Sequence, residues 1–327
     1  MIICRAPLRL SFGGGGTDIP SHYQLNGGEW YSIAINKYIY TSVNKRFYDK
    51  SLLRYSIIEE IKDLTKSKNK LLSALFKRYP INKSIEFTSI SDIPAGTGLG
   101  SSGTFAVSSL MSIRSALNLS STQEEIAKEA SEIEIKDLSA PSGLQDQYIS
   151  AMGGLRNFKV DKKGNVTTKS INLPSGTDNF FNDHIILIFT NISRSSHKTL
   201  SKFSNELLKG KALAVDKTIV PSFSSYTNAL IKHNYIELGQ LLDQYWNVKK
   251  NIKSQSTPSI IISLYEKLKQ NGIIGGKLVG AGGGGFFMCV TKDIKNVKRF
   301  CNQNRLKYLS VKPDFEGVKS IELGQLQ

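Results

Sequence analysis

The ten residues from Pro94 to Gly103, Pro-Ala-Gly-Thr-Gly-Leu-Gly-Ser-Ser-Gly, constrain this chain more than any other stretch. Four are glycine (Gly96, Gly98, Gly100, Gly103), and Thr97, Ser101 and Ser102 carry hydroxyls. Helix-spaced apolar residues follow at once: Phe105, Ala106, Leu110, Ile113 and Leu117. Glycine lets a ligand approach the backbone closely. The first N–H groups of the following helix have no partner inside it, and they face the loop with the positive end of the helix dipole. The stretch reads as a phosphate cradle; the plain alternative is a turn with a serine cap. Gly98-x-Gly100-x-x-Gly103 has dinucleotide-fingerprint spacing, but Ser91 to Ala95 separate it from the expected strand at Ile85–Ile90, and no second strand ending in an acid follows. A Walker A loop is also absent, because Leu278 follows Gly276-Lys277.

Two further glycine runs stand at Gly13–Gly16, before Thr17-Asp18, and at Gly280–Gly285, between apolar stretches. Such runs do not sustain a helix or central strand; each makes a surface free of side chains. Around them the pattern predicts strands at Ile2–Cys4, Glu29–Ile35, Tyr38–Val43 and Ile85–Ile90, an edge strand at Arg54–Ile57, and an extended pair split by Pro7. It predicts helices at Asn69–Tyr79, from the Thr122-x-x-Glu125 capping box onward, and from Leu144 to Gly153. A hairpin is expected around Asp161–Gly164. Later helices fall at about 196–216, 222–232, 235–251, 258–271 and 292–304, with strands at Ile185–Phe189, Gly275–Val279, Phe286–Val290 and Val318–Leu323. This is α+β order without steady βαβ alternation.

At 327 residues the chain suggests two domains. The polar stretch Pro174–Asp183 marks the expected boundary, giving units 1–178 and 179–327. Lys plus Arg exceed Asp plus Glu by 43 to 27, a net charge of +16 that favours anionic partners. No basic run alternates with aromatics, which argues against nucleic acid. No apolar run is long enough to span a membrane, and Arg5 and Arg9 interrupt the only early apolar run, so no signal peptide is expected. Three cysteines without metal-ligand spacing suggest a reduced cytoplasmic protein.

Three motifs in order carry a family resemblance: Ala6-Pro7-Leu8-Arg9-Leu10-Ser11-Phe12-Gly13-Gly14-Gly15-Gly16-Thr17-Asp18, Pro94-Ala95-Gly96-Thr97-Gly98-Leu99-Gly100-Ser101-Ser102, and Lys277-Leu278-Val279-Gly280-Ala281-Gly282-Gly283-Gly284-Gly285. Over its whole length the chain resembles the GHMP small-molecule kinases. The four glycines before Thr17-Asp18 are similar to the D-glycero-D-manno-heptose 7-phosphate kinase branch, whereas galactokinases carry Gly-Glu-His there. The resemblance implies an N-terminal domain like the second domain of ribosomal protein S5, a ferredoxin-like C-terminal domain, and phosphoryl transfer from ATP with Mg²⁺ to a sugar phosphate.

The resemblance also implies roles. Pro94, Gly96, Gly98, Leu99, Gly100, Ser101, Ser102 and Gly103 would hold ATP. Ser102, or Ser101, would reach Mg²⁺ with Glu134, for which Glu132 and Asp137 are rivals. Asp146, in Pro141-Ser142-Gly143-Leu144-Gln145-Asp146-Gln147, would receive or orient the acceptor hydroxyl, with Arg9 beside it. Gly15, Gly16, Thr17, Asp18, Gly283 and Gly284 would line the acceptor. Arg194 and Ser196, at the start of a basic helix, would bind the acceptor's phosphate, with Arg156 as a weaker candidate. The product of the leading reading is a 1,7-bisphosphate, a precursor of nucleotide-activated heptose for surface polysaccharide. A fucose or galactose 1-kinase, a non-catalytic regulator binding ATP and sugar, and an RNA-binding protein are the competing readings. A monomer and a homodimer are both compatible with the sequence.

Overall fold

The computed structural model describes residues 1–192, 223–250, 258–280 and 283–323. Two sheets organise it. The first has eight strands: β1 (Ile2–Gly13), β2 (Gly28–Lys45), β3 (Ser51–Arg54), β4 (Ile58–Ile61), β5 (Ile85–Ser91), β6 (Leu155–Val160), β7 (Val166–Ile171) and β12 (Lys319–Glu322). Its main path runs β12-β1-β2-β5-β3-β4, with β6 and β7 continuing from the other end of β2. The pair β3–β5 is parallel and the remaining pairs are antiparallel, so the sheet is mixed. The second sheet is antiparallel and ferredoxin-like, in the order β11 (Tyr308–Leu309), β8 (Ile185–Phe189), β10 (Phe286–Thr291), β9 (Ile273–Leu278). This is the α+β, two-domain architecture that the sequence led us to expect.

Helices α1 (Pro20–Asn26), α2 (Lys70–Arg78), α3 (Ser101–Ala116), α4 (Gln123–Glu132), α5 (Gln145–Met152) and α6 (Thr177–His184) belong to the first part of the chain. Later come α7 (Phe223–Ile231), α8 (Tyr235–Lys249), α9 (Ser259–Gln270) and α10 (Ile294–Gln303). Local signals explain their starts. Asn69 accepts from the Leu71 and Leu72 N–H groups to cap α2, and the Thr122–Glu125 capping box forms as read.

One apolar core lies between the first sheet and α2–α5, around Trp30, Phe87, Phe158, Leu75, Leu110 and Ile149. A second spans both sheets: Leu8, Leu10, Phe12 and Ile33 pack in one cluster with Phe181, Leu187, Leu238 and Met288. The two sheets are thus joined by a hydrophobic seam rather than a polar linker.

Several local expectations change. Ile2–Cys4 and the extended pair after it form the single strand β1, and a register shift between Pro7 and Leu8 absorbs the proline that lacks an N–H. The expected strands at 29–35 and 38–43 are one long β2. Residues 55–57 are not an edge strand but the turn between β3 and β4, closed by the Tyr55 N–H donating to the Ile57 carbonyl at 3.0 Å. The polar stretch at Pro174–Asp183 contains α6, because Phe180 and Phe181 give it a buried face. Strand β12 pairs with β1, so the segment after residue 179 contributes to both sheets. The helix expected at about 196–216 lies outside the described residues.

Candidate active site

The phosphate loop runs straight into α3, and the helix start decides between cap and cradle. The N-cap is Gly100, left-handed at φ 85°, and it makes no side-chain cap. The first helical bond there is Thr104 N–H to the Gly100 carbonyl, 3.0 Å. The donors at the front of α3 therefore lie open toward the loop, which suits an anion. Ser102 does not cap: its Oγ donates to Glu134 Oε1 at 2.8 Å.

Glu134 reaches that position from a π-turn, Ile133–Asp137, which continues α4. Such a one-residue expansion re-aims a side chain and is frequent at functional sites. The Glu134 carboxyl is buried and also accepts from Gln147 Nε2. Burial raises its pKa to about 7, against the opposing effect of the Ser102 and Gln147 hydrogen bonds. The rival acids fall away: Glu132 pairs with Lys136 at 3.1 Å, and Asp137 is exposed and faces Arg78 at 3.4 Å. A hydroxyl and a carboxylate 2.8 Å apart at an anion cradle are a donor set suited to Mg²⁺, which takes few protein ligands and borrows the rest from phosphate and water.

Asp146 sits in the first turn of α5. Arg9, on β1, donates Nε to Asp146 Oδ1 at 2.8 Å and Nη2 to the same oxygen at 2.7 Å. Arg9 Nη1 donates to the Gly98 carbonyl at 2.5 Å, and the Arg9 N–H to the Leu99 carbonyl at 3.1 Å. One arginine thus ties the phosphate loop to the acid. The Arg9 side chain is 7% exposed and that of Asp146 28%, so the carboxylate is the member open to a ligand. Gly103 permits the approach: a methyl there would lie 2.6 Å from Asp146 Cβ.

The first glycine run packs beside this pair. Gly14 is left-handed at φ 76°, and a Cβ on it would lie 2.6 Å from Trp30 Cα. Thr17 Oγ1 lies 2.8 Å from the Gly14 and Glu29 carbonyls and accepts from the Glu29 N–H at 3.0 Å. Asp18 is buried and bridges loop to helix, accepting from the Gly16 N–H and from the Gln145 N–H, both at 3.0 Å. Burial raises its pKa, offset in part by the Gln145 bond. Gly15 is the exposed member of the run.

The third glycine run meets the second. The Phe286 N–H donates to the Thr97 carbonyl at 3.2 Å, and a Cβ on Gly98 would lie 2.5 Å from the Val279 carbonyl. Gly284, in turn, packs on Ile192. Of the expected site residues, Arg9, Asp146, Gly98, Leu99, Gly100, Ser102, Gly103 and Glu134 come together. Asp18 is tied to the start of α5 and Thr17 to the start of β2, and Pro94 is exposed at the outer end of the loop. Gly96, left-handed at φ 77°, turns the loop just after it. Ser101 begins α3 beside Ser102. Arg194 and Ser196 lie outside the described residues. Arg156 points elsewhere, donating Nε to the Gly153 carbonyl at 2.8 Å at the far end of α5.

Two residues at the candidate site were quoted within motifs but given no role by the sequence reading. Gln147 bridges Glu134 and Ser142, and its only signal was its place next to Asp146. Lys277 is buried with its Nζ on the end of β1, 2.8 Å from the Ser11 carbonyl; no local pattern announces so distant a contact. A groove of about 530 Å³, lined by Ser67, Lys70, Ser73, Lys77, Arg78 and Asp137 among others, begins at the π-turn that carries Glu134.

Among the described residues no helix is long and apolar enough to cross a membrane. The GHMP kinases N-terminal domain model matches residues 66–154, and the GHMP kinases C-terminal model matches 227–308. A D-glycero-alpha-D-manno-heptose 7-phosphate kinase of Campylobacter jejuni is 29% identical over 311 residues, covering 90% of this chain and 91% of the relative. Among solved structures, a D-glycero-D-manno-heptose 1-phosphate kinase from Bacteroides thetaiotaomicron superposes with a TM-score of 0.78 at 22% identity, over 99% of this chain and 100% of that one. A putative sugar kinase from Campylobacter jejuni superposes with a TM-score of 0.75 at 25% identity, over 98% of each chain. With both family models matched in order and the same two-sheet fold beneath them, the chain belongs to the GHMP kinase family.

Proposed function

We propose that this protein transfers the γ-phosphoryl group of ATP to the anomeric hydroxyl of D-glycero-D-manno-heptose 7-phosphate, giving the 1,7-bisphosphate. The observation that carries the reading is the Arg9–Asp146 pair at the open front of α3, with Ser102 and Glu134 alongside. In phosphoryl transfer the protein supplies positioning and charge neutralisation more than covalent chemistry. The open N–H groups of α3 and the loop bind the nucleotide phosphates. The groove between α2 and the π-turn takes the nucleoside. Asp146 holds the acceptor hydroxyl and receives its proton. Arg9 holds the Asp146 carboxylate in place and offsets charge on the transferring group. Ser102 and Glu134 would hold Mg²⁺, which would neutralise the phosphate oxygens.

The heptose phosphate is favoured by the four-glycine loop before Thr17-Asp18 and by the Campylobacter jejuni heptose 7-phosphate kinase, whose likeness extends along 90% of this chain. In this reading Arg194 and Ser196 anchor the acceptor's phosphate. The test is Mg²⁺-dependent ADP release with D-glycero-D-manno-heptose 7-phosphate, sedoheptulose 7-phosphate, mannose 6-phosphate, fucose and galactose. Turnover confined to the heptose phosphate supports the reading. Turnover on fucose or galactose alone replaces it with a free-sugar kinase.

A further inference from the structure

Strand β9 ends between the two loops that must act together. On one side, Val279 and Gly280 lie against the phosphate loop: a Cβ on Gly280 would sit 2.8 Å from the Gly98 carbonyl. On the other side, Lys277 reaches into the first sheet. Its Nζ donates to the Ser11 carbonyl at 2.8 Å and to the Phe12 carbonyl at 3.2 Å. Those carbonyls end β1 immediately before Gly13–Gly16, and the Ser11 side chain accepts from Gln145 Nε2 at 2.9 Å. Three residues along one strand end therefore touch both the nucleotide loop and the base of the acceptor loop.

The chemistry of Lys277 is unusual for a mere filler. It is 2% exposed, and no carboxylate pairs with it among the described residues. Its Nζ lies 4.0 Å from the centre of the Tyr245 ring. Lys249 lies 5.5 Å from that ring and donates to the Gly280 carbonyl at 2.9 Å. Burial, with Lys249 and Arg9 nearby, pushes the Lys277 pKa well below the usual lysine range. An apolar side chain at this depth would avoid that desolvation cost. What it could not do is donate to the Ser11 and Phe12 carbonyls from the opposite domain.

We infer that Lys277 is a positioning residue that couples nucleotide binding to the shape of the acceptor loop. Phosphates bound at Gly98–Ser102 fix the loop against Val279 and Gly280. That contact fixes the end of β9, and Lys277 then holds Ser11 and Phe12, so Gly13–Asp18 settles in its binding form. The inference rests on the nucleotide-binding reading above. It adds that the acceptor loop is ordered from the second domain, not only through Arg9.

Hydrogen–deuterium exchange on the full chain tests this without any acceptor, using AMP-PNP and Mg²⁺ as the probe. In the wild type, nucleotide should slow exchange at 96–103 and also at 13–18, the latter by about tenfold, an ordinary size for coupling between sites. In Lys277→Met the slowing at 96–103 should persist, with AMP-PNP affinity within about twofold of wild type, while the slowing at 13–18 falls below about twofold. Lys277→Gln keeps one donor and should restore part of the effect. Equal slowing at 13–18 in wild type and Lys277→Met overturns the inference and leaves nucleotide binding intact. No slowing at 96–103 in the wild type overturns the nucleotide reading and this inference with it.

Discussion

Replacing Glu134 by Gln should stabilise the metal-free protein at alkaline pH while disabling it. The Glu134 carboxyl is buried, and its pKa stands at about 7 rather than the ordinary 4.5. A carboxyl with a raised folded pKa contributes nothing unfavourable below the unfolded value, where both states are protonated. As pH rises from about 4.5 through about 7 the unfolded state ionises first, and stability is lost. Between pH 5 and pH 8 the loss comes to about 2.5 kcal/mol at 1.36 kcal/mol per pKa unit. Gln has no proton to lose and removes this pH dependence.

The surroundings can accept the amide. Ser102 Oγ donates to one Glu134 oxygen and Gln147 Nε2 to the other, and Gln147 Oε1 is buried without a partner among the described residues. A Gln at 134 keeps its carbonyl on Ser102. Gln147 can then rotate its amide and offer the idle oxygen to the new N–H. Urea unfolding in EDTA checks the prediction: the stability of Glu134→Gln minus that of wild type should grow by about 2.5 kcal/mol from pH 5 to pH 8. Kinase activity should fall, and its half-maximal Mg²⁺ concentration should rise. A difference that stays constant across that pH range refutes the reasoning, because the wild-type carboxyl would then carry no burial cost.

Asp146→Asn should lower kcat by about 10² to 10⁴ with a small change in KM for ATP, measured by coupled ADP release, since the amide keeps a hydrogen bond to Arg9 but cannot take a proton. Ser102→Ala should raise the Mg²⁺ concentration for half-maximal activity by about tenfold, read from a metal titration at fixed ATP. Gly285→Ala should cost about 2 kcal/mol or more in urea unfolding, because φ is 95° and the new methyl would strike the Thr97 backbone.

The glycine runs and most single strands and helices were legible because their causes are local, whereas the two-domain architecture was expected from the family resemblance. Helix caps, alternating strands and the open start of α3 follow from neighbours in sequence, as Asn69 and the Thr122–Glu125 box illustrate. The union of two expected strands into β2 was not legible, because pairing with β1 on one side and with β5 and β6 on the other holds it extended. Helix α6 was hidden by its polar composition; two phenylalanines suffice for its buried face. Within the candidate site, Glu134 was suggested by the family resemblance, with Glu132 and Asp137 as rivals, and nothing local announced its π-turn. Lys277 depends on a contact 266 residues away in sequence, which no local pattern encodes.

The pairing of β12 with β1 bears on how the molecule is made. Arg5 and Lys319 lie opposite one another in that ladder, and the Val318 N–H donates to the Ala151 carbonyl at 3.0 Å, next to the end of α5. Strand β1 must therefore wait for β12, which is synthesised long after it, before this edge is closed. Until then the backbone of the strand bearing Arg9 is exposed along part of its length to any other extended segment. Synthesis yields the phosphate loop well before β12, so the sheet that aims Arg9 is completed only after the strands of the second sheet have been made.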